Sequence, residues 1–503
     1  MNKKIVICLF LLAIIAAGSG CISKPAASDG NIDNNSAIEE IEGLWLGTLK
    51  VQGGMEIRLL FNISTSPEGS VNATMDSLDQ GVKGIPVEVV TYKDGNLHLG
   101  VKSIRGAFDG TLKEDGKTIE GEWKQSGSAL PLVLSCIDET PDTRREQDPV
   151  KPYPYDEEEV VYENEEAGVK LAGTLTVPQS EGPFPAVILI SGSGPQNRDE
   201  EILGHRPFLV LSDYLTRRGI AVLRVDDRGV GGSTGNLSQA TTFSQGTTED
   251  FAGDVLAGIE YLKSREEIDP DRIGLIGHSE GGLIAPMVAV KSPDVAFIVL
   301  MAGQGITGEE ISYLQSDLIS RAEGVDNETI ARNNALMKSM YSVIKEEQND
   351  TIAAEKLRKL IVDEVENMSE KEKMNSGYSE DVLDAQVNAQ VQNLISPWMR
   401  FFLTYDPVPT LMKVKCPVLA INGEKDLQVP PKENLQAIEE ALKAGGNRDY
   451  TVKELPGLNH LFQTAQTGSP SEYAKINETI SPAALELIGN WVSEHTADTE
   501  NRQ

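Results

Sequence analysis

The strongest constraint in this sequence is a series of nearly uninterrupted apolar runs separated by segments with helical spacing. They lie at 186–190 (AVILI), 220–225 (IAVLRV), 273–276 (IGLI) and 295–301 (VAFIVLM), and the pattern resumes at 417–422 (PVLAIN). A strand with one wet face alternates polar and apolar residues; these runs do not. Strands covered on both faces lose that alternation, and helices between them supply the cover. The sequence therefore predicts an α/β unit built on a mostly parallel sheet with helices on both faces. One stretch, 304–400, breaks the rhythm. It is rich in helix formers, with Leu357, Leu360, Ile361 and Val365 at helical spacing, and it reads as a helical insertion capping the sheet. The last helix is predicted from Ser481-Pro482, an N-cap followed by a first-turn proline, to about Val492.

A different texture precedes this unit. Residues 40–137 hold short alternating segments divided by turn pairs such as Lys93-Asp94-Gly95-Asn96 and Glu114-Asp115-Gly116-Lys117. About eight short strands without helices predict a small antiparallel β barrel or sandwich. Its interior is read as a filled core, with a lipid-like ligand as the alternative. Four prolines among charges mark 138–157 as a linker, leaving 158–303 and 401–496 to the α/β domain.

The N-terminus begins Met1-Asn2-Lys3-Lys4, continues with an apolar run at 5–17 and reaches Gly18-Ser19-Gly20-Cys21. A basic start, a run too short to span a bilayer and small residues at its end form a secretory signal over 1–20. The cysteine that follows resembles a lipobox, with Cys21 as the lipidated residue and 22–39 as a flexible tether; an uncleaved anchor is the alternative. Either form tethers the protein outside the cytoplasm, as an extracytoplasmic, membrane-anchored lipoprotein. The remaining cysteines, Cys136 and Cys416, fall in different domains and are expected to be unpaired.

Lys+Arg number 45 against 77 Asp+Glu, a net charge of −32. So acidic a surface repels phosphate backbones and anionic headgroups. Nucleic-acid partners are excluded on that ground, and membrane association is left to the lipid anchor.

Gly277-His278-Ser279-Glu280-Gly281-Gly282 joins the strand at 273–276 to a helical segment at 283–290. A G-x-S-x-G sequence between strand and helix is the context of a nucleophile elbow. Glycines allow the tight turn, and the helix N-terminus beneath the serine stabilises developing negative charge. Ser279 then needs a base to take its proton. On a sheet of this kind the acid and base follow the serine in the order Asp/Glu, then His. The chain has only five histidines, His98, His205, His278, His460 and His495. Three do not follow Ser279, and His495 lies in a polar tail expected to fray. His460, in the loop after 450–455, remains. The acid should follow the strand at 418–421, where Glu424 and Asp426 are the candidates. Oxyanion donors are expected from the backbone N–H of Glu280 and from the loop Ser191-Gly192-Ser193-Gly194-Pro195. No His/Cys ligand cluster is visible, so neither metal nor organic cofactor is implied. Trp398, Phe401, Phe402 and Leu403 would line an acyl pocket or fill the core.

With these residues in place, 158–303 and 401–496 resemble the alpha/beta-hydrolase superfamily. The chain after its signal resembles an esterase group with a β-rich N-terminal domain, a Ser-Gly-Ser-Gly-Pro oxyanion loop and a Gly-His-Ser-Glu-Gly-Gly elbow. The catalytic part is also similar to serine aminopeptidase-like, prolyl-oligopeptidase-like and acyl-thioesterase-like hydrolases. The resemblance implies Asp426 as the acid, since Gly423-Glu424-Lys425-Asp426-Leu427-Gln428-Val429-Pro430 follows the superfamily's G-x-x-D-x-x-V-P loop. It implies Ser193 as the second oxyanion donor, with Gly194 open because Ser191 replaces the family's histidine. The expected activity is a serine hydrolase cleaving small-molecule carboxylic esters through an acyl-enzyme, with Ser279, Asp426 and His460 as triad. An aminopeptidase or acyl-thioesterase using the same triad is the alternative. From another class stands a non-catalytic glycan- or lipid-binding lipoprotein.

Overall fold

The computed structural model describes residues 40–497 apart from 51–55, 67–70, 81, 105, 126–127, 142–143, 235–245, 370–372 and 374–382. The signal segment 1–20, Cys21 and the tether 22–39 lie outside the described residues.

Alternation in the first domain produces nine antiparallel strands: β1 (Gly43–Lys50), β2 (Glu56–Thr65), β3 (Val71–Ser77), β4 (Val82–Pro86), β5 (Val89–Lys93), β6 (Asn96–Val101), β7 (Gly106–Leu112), β8 (Thr118–Gln125) and β9 (Ser128–Ile137). Their order is β4-β3-β2-β1-β9-β8-β7-β6-β5, so β4 and β5 lie at opposite ends of the sheet. Ile85 on β4 and Val90 and Tyr92 on β5 nevertheless pack on the same core, so the sheet curls around it. Trp45, Phe61, Phe108 and Trp123 fill that core, with Phe61 6.3 Å from Phe108 and 6.1 Å from Trp123 between ring centroids.

The second domain opens with the hairpin β10 (Tyr155–Asn164) and β11 (Val169–Pro178), followed by β12 (Phe184–Ile190), α1 (Pro207–Thr216) and β13 (Ala221–Val225). Next come α2 (Thr248–Lys263), β14 (Ile268–His278), α3 (Gly281–Lys291) and β15 (Val295–Met301). The insertion supplies α4 (Gly308–Ala322), α5 (Asn327–Glu346), α6 (Asp350–Asn367), α7 (Leu383–Leu394) and α8 (Pro397–Thr404). The chain then forms α9 (Val408–Leu411), β16 (Val418–Gly423), α10 (Pro431–Ala444), β17 (Tyr450–Leu455) and α11 (Pro482–Thr496). Strand order is β10-β11-β13-β12-β14-β15-β16-β17. The first two pairings are antiparallel and the rest are parallel. Neighbouring residues enter different cores: Ile188 and Leu275 on one face, Val187 and Ile276 on the other. Both faces are dry, which is why the runs lack alternation. The chain thus has an alpha/beta-hydrolase fold with a helical insertion, preceded by an antiparallel β domain.

Two expectations are corrected. The proline-rich segment 138–157 is not simply a spacer, because its last residues, Tyr155–Glu157, already belong to β10. Arg145 Nη2 donates to the carbonyls of Leu203 (3.0 Å) and Ala474 (3.1 Å), and Asp148 pairs with Arg206 at 2.5 Å. Gln147 Oε1 accepts from the N–H groups of Thr479 and Ile480, and its Nε2 donates to the Ile480 carbonyl at 2.8 Å. His495 does not fray either. It sits in α11, stacked on Trp491 with centroids 3.8 Å apart, and its Nδ1 bonds the Trp491 carbonyl at 2.8 Å.

Removing the Gln147 side chain would orphan two backbone donors just before α11. Gln147→Ala is expected to destabilise the catalytic domain by about 1–3 kcal/mol, read as a lower unfolding midpoint. An unchanged midpoint would show that these bonds do not hold the connector.

Candidate active site

β14 lies between β12 and β15, so its end is flanked on both sides by parallel strands. There the chain reverses abruptly. Ser279 holds φ +53°, in the left-handed region, and its N–H donates to the Met301 carbonyl at 2.8 Å. A Cβ on Gly277 would stand 2.0 Å from the Gly281 oxygen, and one on Gly281 would stand 2.1 Å from the Ile190 oxygen. Only glycine fits at either position. The serine is thus held at the carboxyl edge of the sheet with α3 starting directly behind it.

β16 and β17 bring the other candidates to the same edge. Asp426 Oδ1 accepts the N–H groups of Gln428 (2.8 Å) and Val429 (2.9 Å), leaving Oδ2 for His460 Nδ1 at 2.7 Å. Both side chains are buried. Asn459 stiffens the histidine loop: its Oδ1 accepts from the N–H groups of Leu461 and Gln463. Glu424, the competing carboxylate, is instead spent on the Gly457 N–H at 2.8 Å, bracing the same loop. The His460 carbonyl lies 3.0 Å from Nε2 of His278, the residue just before Ser279, so His460 and Ser279 sit on segments one hydrogen bond apart. Among the described residues His460 Nε2 has no hydrogen-bond partner, and neither does the Ser279 hydroxyl.

The oxyanion loop follows β12. Ser191 Oγ donates to Asp227 Oδ1 at 2.8 Å, and the Gln196 N–H donates to Asp227 Oδ2 at 2.9 Å. The Gly192 N–H is taken by Glu200 Oε1 at 2.6 Å. A Cβ on Gly192 would lie 3.2 Å from that of Ser279, so the loop passes close beside this serine. The N–H groups of Ser193, Gly194 and Glu280 have no partner among the described residues. Both Ser193 and Gly194 therefore have an N–H available to a ligand.

Four site residues were not singled out for these roles by sequence reasoning. Glu200 lies in an irregular loop with no signal of its own. His278 stood in plain view inside the elbow, but only the fold supplies its partners. Burial alone would push its imidazole down; the adjacent Glu200 carboxylate, its hydrogen bond and the His460 carbonyl more than reverse this, and the pKa is raised. Thr248 and Trp398 both donate to Glu280 Oε1, at 2.7 and 2.9 Å. Trp398, Phe402 and Leu403 belong to the insertion's own core, and Phe401 stacks on Tyr405. A small pocket beside the loop after β12 is lined by Ser191, Gly192, Asp227, Phe251, Glu280 and Ile284 among others. Burial raises the carboxyl of Asp227 well above its ordinary range. Among the described residues no group of three or more His, Cys, Asp or Glu is arranged to hold a metal ion.

The fold and this edge define a serine hydrolase of the alpha/beta-hydrolase superfamily, of esterase or peptidase type. Residues 167–455 match the family model for X-Pro dipeptidyl-peptidase (S15 family). That is more than half of the chain, and the protein belongs to this family. It is 24% identical over 380 residues to esterase EstD of Thermotoga maritima, covering 75% of each chain. It is 32% identical over 137 residues to the putative hydrolase YtaP of Bacillus subtilis, covering 25% of this chain and 46% of that one. Among solved structures, an esterase of Pyrococcus furiosus is similar at 16% identity and a TM-score of 0.38, covering 68% of this chain and 92% of that one.

Burial pushes the Glu280 carboxyl up to about 7, against the pull of its Thr248 and Trp398 donors. A carboxyl raised from 4.5 in the unfolded chain to about 7 in the fold binds its proton more tightly when folded. Stability is therefore lost as pH rises through that window, by up to about 3 kcal/mol. Glu280→Gln keeps an acceptor for both donors and carries no charge. Its unfolding midpoint is expected to fall less than that of the parent between pH 5 and pH 8. Equal falls would show that Glu280 is not the strained group.

Proposed function

We propose that the protein hydrolyses carboxylic esters of small molecules through an acyl-enzyme. The observation that carries this reading is the buried Asp426–His460 pair, 2.7 Å apart, whose free Nε2 belongs to a loop bonded to the elbow of Ser279. Asp426 holds Nδ1–H, which leaves Nε2 as the lone-pair face. In the proposed reaction His460 Nε2 takes the Ser279 proton as Oγ bonds to the substrate carbonyl carbon. The carbonyl oxygen gains the negative charge, and the N–H groups of Glu280 and Ser193 receive it. Collapse breaks the ester C–O bond, and His460 returns the proton to the departing alkoxide. A water molecule then repeats the sequence on the acyl-serine, releasing the acid and restoring Ser279. The cycle uses water alone as co-reactant.

Esters are favoured over aminoacyl amides by the state of Glu280. Beside the nucleophile, its carboxylate would be the natural partner of a substrate amine, but the residue is buried, with Oε1 engaged by Thr248 and Trp398 and Oε2 out of reach of solvent. The alternative of a non-catalytic lipid binder is disfavoured by the β domain, whose interior is packed with aromatic side chains. The N-terminal sequence supports a further proposal, that Cys21 carries a lipid and holds the enzyme outside the cytoplasm.

Ser279→Ala is expected to lower turnover of p-nitrophenyl esters by about 10⁴-fold or more and to abolish labelling by a fluorophosphonate probe, with folding intact. Retention of full activity would overturn the assignment. Paired assays on acyl esters, thioesters and aminoacyl amides would rank the substrate classes.

A further inference from the structure

A second histidine–carboxylate pair lies back to back with the first. His278 Nδ1 stands 2.9 Å from Glu200 Oε1, and His278 Nε2 stands 3.0 Å from the His460 carbonyl oxygen. The two imidazoles are 4.8 Å apart between centroids, tilted by 45°. Glu200 and His278 are 4% and 6% exposed, so water does little to satisfy either. Both ring nitrogens of His278 face acceptors. A backbone carbonyl has no proton to give, and Glu200 Oε1 already accepts the Gly192 N–H at 2.6 Å. Against a carboxylate and a carbonyl, a neutral imidazole, with its single N–H, would turn a lone pair toward one of the two oxygens, and the imidazolium satisfies both.

Every anchor of this pair belongs to the reacting edge. Glu200 fixes Gly192, the residue before the oxyanion donor Ser193. His278 fixes the backbone of His460. Glu200 also holds φ +50°, a conformation that costs a non-glycine residue energy, and its Oε2 has no partner among the described residues. Buried ion pairs are weak sources of stability, since desolvation offsets much of their attraction. Stability alone therefore gives little reason for this arrangement. We infer that Glu200 and His278 are positioning residues: a charged brace that sets the oxyanion loop and the base at a fixed separation across Ser279. The inference rests on the hydrolase reading above.

The brace has a pH signature. The titratable groups that face His278 are Glu200 from the loop after β12, Asp426 from the loop after β16 and His460 from the loop after β17. The two carboxylates favour the cation, and the proton persists above the ordinary histidine range. As pH rises through that raised value, one proton leaves. The remaining one stays on Nδ1, where the carboxylate makes the stronger bond. Nε2 then presents a lone pair to the His460 carbonyl, and the base loop loses its tie to the elbow. Chemistry slows while substrate binding is little affected.

The test uses the full-length enzyme. His278→Gln retains a donor toward the His460 carbonyl but carries no charge and gives up the bond to Glu200. His278→Asn retains the bond to Glu200 and gives up the other. In both variants kcat on a p-nitrophenyl ester is expected to fall by about tenfold to a hundredfold, with KM within about twofold. The alkaline limb of the parent's kcat profile is expected to vanish. Wild-type kcat and an unchanged alkaline limb in either variant would overturn the brace. A second measurement needs no activity and no change at His278. Nitrogen-15 spectra of histidine-labelled Ser279→Ala protein should show His278 protonated on both nitrogens near neutral pH, with its titration moved to lower pH by Glu200→Gln. A neutral His278 there would overturn the proposal whatever the kinetics show. Full activity of Ser279→Ala would instead remove the hydrolase reading, and the spectra would still decide the state of His278.

Discussion

A serine held in a left-handed backbone conformation is the constraint around which this molecule is arranged. A positive φ at a residue with a side chain costs about 1–3 kcal/mol and survives only where the surroundings allow nothing else. Here the surroundings are hydrogen-bonded strands on either side of β14 and two glycines packed against backbone oxygens at contact distance. Once that reversal is fixed, the loops after β12, β16 and β17 converge on it. The loops after β12 and β17 are long, and hydrogen bonds from Glu200, Glu424 and Asn459 hold them in place.

Buried carboxylates do the tying. Glu200, Asp227, Glu280 and Asp426 are each oriented by backbone or side-chain donors. Glu200 ties the loop after β12 to the elbow through Gly192 and His278, Asp227 pins the start of that loop at Ser191, Glu280 ties the elbow to the cap through Trp398, and Asp426 holds His460. In a medium of low effective dielectric such groups are costly when unpaired and strongly directional when paired. The cap is therefore coupled to the elbow, because Trp398 donates to the side chain of Glu280, the residue after Ser279. Of the cap's aromatic residues, Trp398 and Phe402 fill its own core, while Phe401 packs against the core of the sheet.

Much of this was legible in the sequence. Dry strands betray themselves by losing alternation, and the elbow by its glycines. His460 followed from the scarcity of histidines, and Asp426 from its loop. What escaped has physical reasons. β10 is an edge strand whose Asp156–Glu159 run faces solvent, so its acids read as linker rather than sheet. Glu200 and His278 escaped because their roles are set by partners 78 and 182 residues away. No local pattern encodes such a pairing. His495 was misplaced because a polar tail conceals the stacking on Trp491 that extends the final helix.

The connector between the two domains has a practical bearing. Gln147 and Arg145 are, in effect, rivets of the catalytic domain that happen to be threaded on the chain leading out of the β sheet. An excision made where the composition changes, near residue 158, would carry those rivets away with the discarded half and strip one strand of the edge hairpin's beginning. A cut upstream of residue 144 would leave both in place.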